Sequence, residues 1–430
     1  MKILERNYDK IFFSFLLLIA STLIFRKFST ICILIFVAFN LLTFNRLKYD
    51  RKKLIWWVIV AIPFLLDVLF LWNNDSLGAG LKSAEKRLSF IIFPTFLLGY
   101  YKAINFKWFL KLYGYIMVVI VFMAYGAYAY NYPEHVIKYY HGKHLWEMGY
   151  HFANFVGIHA PAFNLHMSFV SISCLYLLFA AGKRLQSKLI SGLFLLLSLV
   201  IVMYINTRVA VVITLLGYGV VCFFELFKNK NIYKAVKISA LLFSSVILIM
   251  VVFVKVFPYS VEKYTKGSFS DMEYVGNLDA VEHPEIRFFN KLVTRVSIWK
   301  SALELAEDNW IIGYGASDAR NELVNYYKET DQQFLAKYEF PTHNQYIDFL
   351  LKFGVLGFIG VICFMFGMGY LGWQMKHPVV ISFCLLFFIS NLTDDFLIRY
   401  DGITFSALWF AIFANQYFYN TKITGYVEKD

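Results

Sequence analysis

The chain has 430 residues, of which 59% are hydrophobic, 20% aromatic and only 16% charged, where a soluble domain of this length carries roughly a quarter charged residues. That deficit excludes an ordinary soluble enzyme and makes lipid the main solvent. A formal net charge of +12 could suggest nucleic acid, but the Lys and Arg residues lie between apolar runs with no nucleic-acid-binding motif beside them, so no nucleic-acid partner is expected.

In chain order, Lys2, Arg6 and Lys10 precede an apolar run from Ile11 to Phe25. It has no small-x-small cleavage site and is followed at once by Arg26-Lys27, so it reads as an uncleaved first span. Further runs near 28–44, 55–72, 88–100, 109–130, 162–181, 189–206, 209–227, 236–257, 345–371, 379–392 and 403–418 predict an all-α integral membrane protein of about 12 transmembrane helices. The runs near 88–100 and 379–392 are short for a bilayer of ~30 Å. Lys and Arg concentrate in alternate connections, such as Arg46 to Lys53, Lys102 to Lys111 and Lys228 to Lys237, which puts both termini on the cytoplasmic side. Asp67 lies inside the third span, four residues after Pro63; a carboxylate there is costly and is expected to face the bundle interior and hold a partner. Cys32, Cys174, Cys222, Cys363 and Cys384 sit within apolar runs without a CxxC pair and read as small buried residues.

Residues 258–341 are unlike the other connections. They form a soluble insert that the topology places outside, giving the organisation 1–257 (spans one to nine), 258–341 (a large helical periplasmic loop) and 342–430 (spans ten to twelve). From Thr294, the residues Arg295, Trp299, Ala302, Leu303 and Ala306 predict one stripe of an amphipathic helix. Asp318 to Tyr338 predicts a second, with Leu323, Tyr326, Phe334 and Leu335. No internal repeat is present, which disfavours an inverted-repeat transporter.

Three basic side chains lie outside near the membrane surface: Arg208 in Asn206-Thr207-Arg208, the tight turn between the seventh and eighth spans; Arg295, which opens the insert's helix; and His343 in Pro341-Thr342-His343-Asn344, where the insert returns to the membrane. Singly, each has a bland reading as a headgroup-facing arginine, a solvated helix start or an interfacial histidine. Together they suit attack of a sugar hydroxyl on an anomeric carbon that bears a diphosphate-lipid leaving group. Arginine forks can take up the charge of the diphosphate without a metal, and a histidine can accept the hydroxyl proton. Lys82, Lys86 and Arg87 cluster outside before the fourth span and could meet donor phosphates or anionic headgroups. Asp394, Asp395 and Arg399 follow the eleventh span and are expected to orient one of the arginines. His135, His141, His144, His151, His159 and His166 crowd one stretch, but with no HExxH, and no metal or other cofactor is expected.

Thr207-Arg208-Val209-Ala210, then Thr294-Arg295-Val296-Ser297-Ile298-Trp299 with Gly313-Tyr314-Gly315, then His343-Asn344 leading to Gly354-Val355-Leu356-Gly357 resemble, in order, the motifs of the O-antigen ligase/polymerase superfamily, the lipid A-core:O-antigen ligase-like membrane proteins. That resemblance implies a GT-C-like bundle in the bacterial inner membrane and a glycosyltransferase of lipopolysaccharide biosynthesis acting at the periplasmic face. It also implies an undecaprenyl-diphosphate-linked glycan as donor and lipid A-core as acceptor. Arg208 and Arg295 would bind the diphosphate and His343 would be the base of an inverting transfer. Trp310-Ile311-Ile312 replaces the Pro common before G-x-G, and Lys352 stands where an acidic residue is frequent. A polymerase that extends lipid-linked glycan is the nearest alternative, given the long 131–161 connection; a flippase is a more distant one, since the spans carry almost no charge besides Asp67.

Overall fold

The computed structural model describes residues 7–182, 184–228, 271–289 and 291–427, with isolated positions between 233 and 255. The expected ninth span near 236–257 falls largely outside the described residues, as does the start of the insert, 258–270. All regular structure among the described residues is helical. The α-helices are α1 (Tyr8–Thr22), α2 (Arg26–Leu42), α3 (Arg51–Leu69), α4 (Leu77–Lys86), α5 (Ser89–Gly99), α6 (Phe106–Asn131), α7 (Pro133–Tyr140), α8 (Met148–Val156), α9 (Ala160–Ala180), α10 (Leu185–Ile205), α11 (Arg208–Lys228), α12 (Pro284–Phe288), α13 (Leu292–Asp308), α14 (Ala319–Glu329), α15 (Gln333–Lys337), α16 (Gln345–Met375), α17 (Pro378–Thr393) and α18 (Tyr400–Val427).

Each of the other apolar runs of the sequence coincides with one of these helices. Five of them, α6, α9, α10, α11 and α16, are long and apolar enough to cross a membrane, and α5 and α17 are shorter apolar helices. Their starts are set locally. Asp50 caps α3 through the Lys53 amide, Ser76 caps α4 through Ala79, and Asn105 caps α6 through Trp108, each satisfying an amide that the helix itself leaves open. α9 is buried on nearly all sides and packs against α6, α10, α11 and α17. Around it, Trp409 meets Tyr113 and Phe169 with ring centroids 4.9 and 4.7 Å apart, in the edge-on geometry that aromatic quadrupoles favour. Leu34, Ile55, Leu189, Leu193 and Phe366 point outward, as expected of helices whose solvent is hydrocarbon.

The described part of the insert has its own apolar cluster, built on Phe288, Ile298, Leu305, Leu323, Tyr327 and Phe334 and joined by Leu351 of α16. Two helix patterns differ from expectation. The buried face of α13 is Val293, Thr294, Ser297, Ile298, Ser301, Ala302, Leu305 and Ala306; Leu303 is exposed, so the apolar stripe runs one position away from the one the spacing suggested. The second helix is interrupted between α14 and α15, where Asp331 turns left-handed at φ 55°, a conformation an Asp side chain tolerates better than most. Of the cysteines, Cys32, Cys174 and Cys222 are buried, but Cys363 is exposed.

Candidate active site

Arg208 is presented by a fixed turn. α10 ends in Asn206, left-handed at φ 51°, one of the few non-glycine types that accept this conformation. Asn164 of α9 then donates from Nδ2 to the Val202 carbonyl (3.2 Å) and to Thr207 Oγ1 (2.9 Å). α8 lies directly on this turn: a Cβ on Gly149 would stand 2.2 Å from the Ile205 carbonyl oxygen.

His343 and Arg295 are tied together through backbone. Trp299, one helical turn beyond Arg295, donates from Nε1 to the Thr342 carbonyl at 3.0 Å. His343 itself is left-handed at φ 45°, an uncommon state for a bulky residue and one found where geometry is held for function. Asn344 next to it caps α16 by accepting from the Tyr346 and Ile347 amides, and its Nδ2 donates to the Leu392 carbonyl at 3.2 Å. Hydrogen bonds thus link α13, which carries Arg295, to the 342–344 return, which carries His343, and that return to the end of α17.

The glycine motifs form a second joint. The Tyr314 and Gly315 amides donate to the Leu351 and Lys352 carbonyls (2.7 and 3.0 Å), and the Val355 amide donates to the Trp310 carbonyl (2.8 Å). Gly354, at φ 61° and ψ −153°, breaks the helical path of α16 and frees those carbonyls. A Cβ at Gly354 would lie 2.1 Å from the Ile311 carbonyl oxygen, and one at Gly315 2.2 Å from that of Asn73. Asn73 Nδ2 donates to the Ile312 and Gly313 carbonyls at 3.1 and 2.9 Å. Glycine is needed here both for its φ and for the close approach of backbone to backbone.

At the centre, Asp394 lies between two histidines. His343 Nδ1 is 3.7 Å from Oδ1 and His159 Nδ1 is 3.9 Å from Oδ2. Burial would raise the Asp394 carboxyl, but His343, the Asp395 contact, His159 and Arg399 outweigh it and hold Asp394 well below the usual carboxylate range. Asp395, also buried, is pushed well above that range, first by burial and then by the Asp394 charge, so a second negative charge beside Asp394 is disfavoured. Burial, reinforced by Arg399, pulls His159 down to about 4 against the opposing Asp394. Arg295 is drawn below its ordinary value by burial, while Asp394, Tyr150 and Asp395 pull the other way and Arg208 adds repulsion; a guanidinium stays charged throughout. Arg208, Arg295, Tyr150, His159, His343, Asp394, Asp395 and Arg399 therefore share one electrostatic neighbourhood. Among the described residues, His343, Asp394 and Asp395 each offer a ligand atom within 4.8 Å of the others and could hold a cation, but the adjacent arginine charges oppose one.

Other expected residues go elsewhere. Lys82 and Lys86 are exposed on α4. Arg87 does not share their face: it is buried, donates to Asp67 Oδ1 at 2.5 Å and to the Leu397 carbonyl at 3.2 Å, and so is the partner expected for Asp67. Asp394 faces His343 more closely than it faces an arginine. Arg399 Nε stands 4.0 Å from Asp395 Oδ1. The crowded histidines divide: His135 and His151 pack with centroids 4.6 Å apart, His166 is buried against Phe405, His141 and His144 are exposed, and His159 alone among them enters the site. His159 and Tyr150 were not singled out from the sequence. The one signal for His159 was its place just before Ala160-Pro161, a helix start.

Fold and site together define a helical membrane protein with a histidine–aspartate centre flanked by arginines. Residues 193–362, about two-fifths of the chain, match the family model described as O-antigen ligase, which supports the O-antigen ligase superfamily and a lipid-linked-glycan chemistry of that general kind. Arg208, Arg295 and His343 fall inside the matched stretch; Asp394 and His159 fall outside it. A comparison with curated proteins gave no match.

Proposed function

We propose that this protein is an O-antigen ligase-type glycosyltransferase of the bacterial inner membrane, moving a glycan from undecaprenyl diphosphate to lipid A-core at the periplasmic face. In this reading the chain has about twelve spans with both termini cytoplasmic, divided at 258–341 by a periplasmic loop domain. The observation that carries it is His343 beside Asp394, with Arg295 and Arg208 in the same electrostatic neighbourhood, brought from four distant stretches of chain. His343 accepts the proton of the acceptor hydroxyl as that oxygen attacks the anomeric carbon from the face opposite the diphosphate, inverting it. Asp394 stabilises the imidazolium that forms. Arg208 and Arg295 take up the charge that builds on the departing diphosphate. General-base assistance of this kind is worth about 10²–10⁴-fold. Lys82 and Lys86 remain candidates for phosphate or headgroup contact.

A polymerase is the second reading, favoured by one observation: the connection after α6 folds into α7 and α8, and α8 packs on the Arg208 turn. A flippase is less favoured, because the buried charges Asp67 and Arg87 are paired with each other and line no described path. The discriminating experiment supplies purified protein with lipid-diphosphate-linked glycan and lipid A-core. Glycan-bearing lipid A supports the ligase. Longer lipid-linked glycan with lipid A untouched supports the polymerase, and translocation without transfer supports the flippase.

A further inference from the structure

We propose that His159 is a positioning residue for the transfer: it holds Asp394 from the side opposite His343, so that the base keeps one ring orientation toward the acceptor hydroxyl. This rests on the reading of His343 as the base.

The carboxylate is divided between two imidazoles. Oδ1 faces His343 Nδ1 and also accepts from the Asp395 amide at 2.9 Å, while Oδ2 faces His159 Nδ1. Both Nδ1 atoms are buried and have no hydrogen-bond partner, so Asp394 is the acceptor both rings are placed to use. Separations of 3.7 and 3.9 Å exceed a hydrogen bond, and catalytic contacts of this kind tighten when substrate fills the site. His159 is itself anchored: it stands directly before the first residue of α9, and its carbonyl accepts the first-turn amide of Phe163 at 2.9 Å. Without it, the Oδ2 side of Asp394 is released. The carboxylate then rotates and carries Oδ1 away from His343, whose Nδ1 loses the partner that fixes the ring. With the Nδ1 side of His343 held, Nε2 is the nitrogen left to take the hydroxyl proton while the new glycosidic bond forms and the bond from carbon to diphosphate oxygen breaks. Arg399 and Arg295 also act on the carboxylate through their charge, but the group that faces Oδ2 from the start of α9 is His159.

The test uses the full-length protein in lipid nanodiscs and compares His159→Ala, His159→Asn, Asp394→Ala and the double variant His159→Ala/Asp394→Ala. Asn places an amide donor where Nδ1 stands. The expected result is that His159→Ala lowers kcat about 10- to 100-fold, the scale of a small misplacement of a catalytic group, with KM for the lipid-linked donor within about 2-fold. His159→Asn recovers most of that loss, and His159→Ala adds little once Asp394 is gone. Wild-type kcat in His159→Ala, equal losses in the Ala and Asn variants, or additive losses in the double variant would overturn the positioning role while leaving the transferase reading intact. Absence of any transfer by the wild type would remove that reading, and the role of His159 with it.

Discussion

Two joints hold the insert and α16 together, and they treat polar groups in opposite ways. At the glycine joint, the amides of Tyr314, Gly315 and Val355 and the side chain of Asn73 all find carbonyl partners. At the Asp394 joint, His159 Nδ1, His343 Nδ1, both Asp395 carboxyl oxygens and Arg399 Nε are buried without hydrogen bonds. Buried polar groups are normally satisfied, and exceptions gather where chemistry is done. The first joint is scaffold, and the second is where the proposed transfer is placed.

Substitutions should separate the two. Arg295→Lys removes the planar fork and leaves the charge; transfer is expected to fall about 100-fold, with thermal stability near that of wild type, as measured by initial rates beside a melting curve. An equal loss of stability would move Arg295 into the scaffold. Asp67→Ala leaves the buried Arg87 unpaired, which costs about 3–5 kcal/mol; the variant should lose folded yield and melting temperature before it loses specific activity. Gly354→Ala forces a Cβ against the Ile311 carbonyl in a left-handed backbone and is expected to cost at least about 1–2 kcal/mol. Limited proteolysis should then cut within 300–340 faster than in the wild type, and unchanged proteolysis would show that the glycine joint holds nothing. Lys82→Ala/Lys86→Ala, on exposed positions, should change stability by no more than about 0.5 kcal/mol and alter donor KM modestly if these lysines meet phosphate.

Much of this was legible in the sequence. The helices at the apolar runs follow from hydropathy, and Asp67 announced its need for a partner because an unpaired carboxylate among apolar residues is costly. Arg208, Arg295 and His343 drew notice through position and resemblance. Arg87 was misgrouped because sequence proximity to Lys82 and Lys86 says nothing about which face of α4 it turns to; the capping geometry at the end of that helix sends it inward. Asp394 and Asp395 were expected to act on an arginine, and both bear on Arg295; that Asp394 also stands beside His343 was hidden, because linear sequence does not show that α17 ends there. His159 was hidden among five other histidines in one stretch, and nothing in their spacing set it apart. The stripe error at Leu303 has a simpler cause. The buried face of α13 includes small polar residues, Thr294, Ser297 and Ser301, beside Val293, Ile298 and Leu305, and a hydrophobic count passes over them.

The central claim is that His343 acts in the chemical step and not in holding the donor. The measurement is single-turnover transfer from pre-bound lipid-diphosphate-linked glycan, comparing wild type with His343→Ala at matched donor occupancy. The account predicts unchanged donor affinity and a transfer rate lower by about 10²–10⁴-fold. Transfer at the wild-type rate, or donor affinity lost in step with the rate, would contradict it.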